Sequence, residues 1–148
     1  MASIFDRGER DALKKRVMKL RPETARQWGK MDATRMQVHL IAGFKMGLGT
    51  LKVAPKKSPL ANWFGRWLVI HSPMPWPKGA PTVDELKDLP STDFEAEQAE
   101  LLGLIDTVSA RGHSDGWPPH PIFGELSTKD WGVLAWRHAD HHLRQFGV

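Results

Sequence analysis

The chain has 148 residues, of which 41% are hydrophobic and 26% charged, with a formal net charge of +4 and no cysteine. A chain of that length buries about two thirds of its unfolded surface, so a single domain over 1–148 is expected. The lack of cysteine excludes disulfides, thiolate nucleophiles and CxxC zinc sites, and no apolar run approaches the ~20 residues that a membrane-spanning helix needs.

The opening MASIFDRGERDALKKRVMKL scatters charges where a secretion signal needs a continuous apolar block, so a cytoplasmic protein is expected. Asp6 with Glu9 resembles a capping box, and Leu13, Val17 and Leu20 then recur at helical spacing. Most of the excess positive charge lies here, in Arg7, Arg10, Lys14, Lys15, Arg16, Lys19, Arg21 and Arg26, and reads as a solvated helix face. A second helix follows a cap at Asp32, and places Met36, His39, Leu40, Gly43, Phe44 and Gly47 on one stripe. Glycines 43 and 47 leave room either for a substrate or for close helix packing. Ser58 and Pro59 read as the cap and first position of a short helix whose Leu60, Trp63, Phe64, Trp67 and Leu68 form an apolar face that needs a cover. Such a face makes a homodimer plausible.

The proline-rich HSPMPWPKGAPTVDELKDLP reads as a long loop or crossover. Thr92 with Glu95 opens a fourth helix, with Phe94, Leu101, Leu102, Ile105 and Val108 inward and an end near Gly112. After a second loop, Ser127 starts the last helix, which runs to Gly147. The expected fold is all-α: a four-helix bundle with a long crossover and one extra short helix.

On the last helix Trp131, Leu134, Ala135, His138, His142 and Gln145 share one stripe. Two imidazoles four residues apart can converge on one ion, and His39 on the second helix's stripe supplies a third. Three neutral histidines with a position left over are the ligand set of catalytic zinc, and HxxxH alone is a weak signal. The other histidines have plainer roles: His141 flanks the stripe, while His71, His113 and His120 sit in proline-rich loops suited to turns. Arg137 and Asp140 point outward to ion pairs, and Asp32, Glu125 and Asp140 are candidate carboxylates to orient a ligand.

The ending RHADHHLRQFG, with HPIFGELSTKDWG ahead of it and QWGKMDATRMQVHL near residue 35, resembles the DinB-like metalloprotein superfamily, and more narrowly one of its uncharacterised branches, over nearly the whole chain. That resemblance implies a bundle with one ligand on the second helix and an HxxxH pair on the last, here His39, His138 and His142, with Gln145 in place of a common glutamine. The wider superfamily often reads HRGQ where this chain has His142, Leu143, Arg144 and Gln145, a departure that bears on the substrate pocket more than on the metal. The resemblance also implies a divalent ion, usually zinc or nickel, and relatives such as bacillithiol transferase and mycothiol-dependent maleylpyruvate isomerase that use low-molecular-weight thiols, or that hydrolyse small substrates.

Two functions follow. In one, an enzyme's ion lowers the pKa of water or binds an external thiol, acting on a small molecule. In the other, the protein binds metal or a partner without catalysis. Nucleic acid is not expected, because no recognition helix, stacking set or finger is visible.

Overall fold

The computed structural model describes residues 1–80, 82–112, 114 and 116–148, so His113 lies outside the described residues. Among these the chain is all-helical with five α-helices and no strand: α1 Arg7–Val17, α2 Ala33–Leu48, α3 Trp63–Arg66, α4 Phe94–Arg111 and α5 Thr128–Gln145. A π-turn, Trp67–His71, prolongs α3, and a 3-10 turn, Asp84–Leu86, interrupts the connection to α4.

The caps decide where the helices begin. Asp32 accepts a hydrogen bond from the Arg35 amide at 2.9 Å and Ser127 one from the Asp130 amide at 3.1 Å, so α2 and α5 start where the sequence placed them. Asp6 occupies the cap position of α1 without a side-chain bond, and that helix ends at Val17. At α4 the cap is Asp93, one residue beyond Thr92, and Glu97 closes the turn by accepting from the Thr92 amide at 2.8 Å.

The α3 region differs more. Ser58 caps only a turn, accepting from the Leu60 amide at 3.1 Å, and the helix begins after Asn62, whose Oδ1 accepts from Gly65 at 2.9 Å. Gly65 is required there, since a Cβ would lie 2.3 Å from the Leu60 carbonyl oxygen. The turn before α3 thus sets which face is buried. Gly65 and Ile70 go inward, while Trp63, Phe64 and Trp67 are 79%, 52% and 46% exposed, so the expected apolar face lies open.

Each long helix packs on two others, α1 and α2 against both α4 and α5. One core joins all four: Leu13 and Val17 from α1, Met36, Leu40 and Phe44 from α2, Leu101, Ile105 and Val108 from α4, and Ala139 and Leu143 from α5. The connections contribute two further clusters. Ile70 of the α2-to-α4 connection and Phe123 of the α4-to-α5 loop pack on Val133 and Leu134 of α5, and Val83 and Leu86 pack on Ala42 of α2. α5 is therefore buried on two sides, where a single stripe predicted one.

Arg137 fastens the α2-to-α4 connection. Its guanidinium donates to the Ile70 carbonyl at 3.3 Å, to that of Ser72, and to that of Met74 at 2.6 Å, in place of the expected ion pair. Asp140 does ion-pair, with Arg16 at 2.7 Å and Arg144 at 2.8 Å.

Candidate metal centre

His39 is carried by α2, whose phase the Asp32 cap sets, and it is 4% exposed. His138 and His142 lie one turn apart on α5, both partly buried. The two helices pack together and bring the three rings into a nearly equal-sided cluster, with centroids 4.9 Å apart for 39–138, 4.6 Å for 39–142 and 4.9 Å for 138–142. One ligand nitrogen from each ring lies within 4.8 Å of the others, close enough to hold a metal ion.

The hydrogen bonds fix which nitrogens are available. Nδ1 of His39 is 3.1 Å from the Leu86 carbonyl oxygen, which only accepts, so Nδ1 carries the proton and Nε2 keeps its lone pair. Nε2 of Gln145 donates to the Trp28 carbonyl at 2.9 Å, which turns Oε1 toward Nδ1 of His142, also at 2.9 Å. Nδ1 of His142 is thus a donor as well. Its Nε2 is left for another partner. Nε2 of His39 and Nε2 of His138 face each other at 2.9 Å.

Burial keeps these rings neutral. It is the leading cause that lowers His39, lowers His142 to about 3, and holds His138 well below the ordinary histidine value, with His142 and His39 adding to the effect on His138. Neutral imidazole is the ligating form, and fixing the outer nitrogen by a carbonyl or amide is how proteins orient such ligands. Two nitrogens on one tetrahedral ion at ~2.0–2.1 Å each stand about 3.3 Å apart, against 2.9 Å between the Nε2 atoms of His39 and His138 and at most 4.8 Å across the three rings.

Several expectations change here. The orienting groups are the Leu86 carbonyl and the Gln145 amide, not a carboxylate: Asp32 caps α2 and Asp140 is held by two arginines. Nothing places Glu125 on a ligating ring. The two glycines of α2 make room for side chains and not for a substrate. A Cβ at Gly43 would lie 2.9 Å from Cε1 of His138, and one at Gly47 would lie 3.2 Å from the Trp131 ring.

Residues 6–147 match the family described as Protein of unknown function (DUF1569). The chain is a DUF1569 protein. No curated protein and no solved structure matches it.

In this DUF1569 chain the other described histidines, His71, His120 and His141, stand apart from the cluster or at its edge. His141 lies between Trp28 and Trp76, with ring centroids at 6.0 and 5.7 Å, and flanks His142 at 5.1 Å. Nε2 of His71 pairs with Asp130 at 2.7 Å. His120 serves its turn, since its Nδ1 accepts from the Ile122 and Phe123 amides at 3.1 and 3.3 Å. Trp28, Trp76 and Leu86 escaped the sequence reading. The first and last act through backbone carbonyls, which no side-chain pattern reveals.

Burial also lowers His120 to about 4. The unfolded chain then binds more protons than the folded one from about pH 6.5 downward, so stability is lost as pH falls toward 4. Holding this ring neutral corresponds to an effect on the order of 3 kcal/mol. Urea midpoints of chelator-treated protein should therefore fall steadily between pH 7 and 4.5. A flat profile contradicts the buried neutral state of His120.

Proposed function

We propose that this protein is a divalent-metal-dependent enzyme of the DinB-like type, holding zinc or nickel on His39, His138 and His142. It acts on a small molecule, either transferring a low-molecular-weight thiol or hydrolysing its substrate. The observation that carries the reading is the convergence of three neutral imidazoles, two of which have the outer nitrogen held as a donor by Leu86 and Gln145. The pairing of four long helices across one core, with a long connection between α2 and α4, supports the same kinship.

A divalent ion at such a site supplies Lewis acidity, which both reactions need. The chain does the rest. Among the described residues, His39, His138 and His142 make a ligand set of three, one short of the four that close a structural zinc site, which would leave a coordination position for a reactant. Leu86 and Gln145 hold two of the rings in the ligating tautomer. Without cysteine, the protein must take any thiol from solution.

The reading is tested by incubating zinc- or nickel-loaded protein with bacillithiol, mycothiol and electrophilic acceptors, and separately with ester and amide substrates. Turnover that vanishes on chelation and returns with metal is expected for one of the two sets. No metal-dependent turnover in either removes the enzyme. Gln145→Ala frees the outer nitrogen of His142, and loss of an outer partner typically weakens metal binding about 10–100-fold. Competition with a zinc chelator should show that loss, with an unchanged helical spectrum.

A further inference from the structure

A groove of about 310 Å³ lies beside the histidine cluster, between segment 72–76 and the outer face of α5. Its size falls at the low end of the ~300–1,000 Å³ typical of small-molecule sites. His141 lines it with its ring 5.1 Å from that of His142, and Trp76 lines it with its ring 6.2 Å from that of His138. A molecule lying in the groove is thus one aromatic ring away from the proposed ligands.

The walls are apolar and aromatic, with Met1, Met74, Trp76 and Trp136, while the charged side chains are Arg137, Arg144 and Asp140. Their balance is positive. Asp140 is shared by Arg16 and Arg144, and Arg137 spends its hydrogen bonds on three backbone carbonyls, which leave its charge uncancelled. The indole N–H of Trp136 is buried and has no acceptor among the described residues. Flat rings stack on tryptophan faces, and guanidinium groups favour carboxylates through charge-assisted bonds.

We propose that this groove binds a small organic carboxylate with an aromatic or similarly flat apolar skeleton. That the ligand is then presented as substrate rests on the metal-enzyme reading above. Binding itself needs only the groove.

The probe is 1-naphthoate, compared by calorimetry with its neutral counterpart 1-naphthamide, using chelator-treated protein so that no ion contributes. Naphthoate should bind one per chain and at least about ten-fold more tightly than the amide, the size of one charge-assisted hydrogen bond. Arg144 is largely exposed, so Arg144→Gln should fold normally and lose most of that preference, and Arg144→Lys should restore part of it. Trp76→Leu should weaken both ligands together. Equal affinity for the two probes, no binding of naphthoate, or an Arg144→Gln variant that still discriminates overturns the proposal. Zinc stoichiometry measured on the same preparation separates the two readings. Naphthoate bound by a chain that takes no zinc leaves the groove and removes the metal, and zinc bound without a preference for naphthoate does the reverse.

Discussion

His138→Ala protein, purified without a histidine tag, is expected to carry almost no zinc or nickel, against close to one ion per chain in the parent. His138 is one corner of the cluster, with its Nε2 2.9 Å from that of His39 and its ring 4.9 Å from both others. Its removal leaves two imidazoles on different helices. The drop in affinity should therefore exceed the ~10–100-fold that follows loss of an outer partner. The fold should survive, because α5 remains anchored by Trp131, Leu134, Ala139 and Leu143, none of which depends on the imidazole. Circular dichroism shows whether it does, and elemental analysis counts the metal. His39→Ala and His142→Ala should behave alike. Equal metal in parent and variants would remove the three-histidine site.

How much of this was legible beforehand follows from where the information sits. Asp32 and Ser127 announce α2 and α5 because a cap is a side-chain act, and His39, His138 and His142 declare themselves because they interrupt apolar stripes. What stayed hidden is carried by backbone. The Leu86 carbonyl that fixes the His39 tautomer, the Trp28 carbonyl that turns Gln145, and the three carbonyls that Arg137 straps together leave no trace in residue type. The start of α3 slipped for a related reason. Ser58 and Pro59 form a locally sound cap signal, but the turn they make packs its own Leu60 carbonyl against Gly65, which defers the helix to Asn62. Burial of α5 on a second side was equally out of reach, since Val133 and Leu134 are covered by Ile70 of the π-turn and Phe123 of the α4-to-α5 loop and not by a long helix of matching period.

The glycines of α2 separate metal binding from stability. Gly43→Ala should leave stability within about 1 kcal/mol of the parent, because replacing a helix-interior glycine by alanine gains roughly 0.8–1 kcal/mol, which offsets part of the crowding. The new Cβ would sit 2.9 Å from Cε1 and 3.1 Å from Nδ1 of His138, at the far end of a side chain that can swing aside. Swinging aside is the difficulty. The ring that moves is a proposed ligand, and its Nε2 leaves the position opposite His39. Zinc affinity should fall at least about ten-fold, comparable to loss of an outer partner, with little change in the urea midpoint. Gly47→Ala provides the opposite case. There a Cβ meets the buried Trp131 ring at 3.2 Å, one turn further along α2, so the burden falls on packing, with overpacking in cores typically costing about 1–3 kcal/mol before the propensity gain. That variant should bind zinc as the parent does. If Gly43→Ala and Gly47→Ala shift zinc affinity equally, Gly43 has no special part in seating His138, and the geometry derived for the cluster is wrong at that ring.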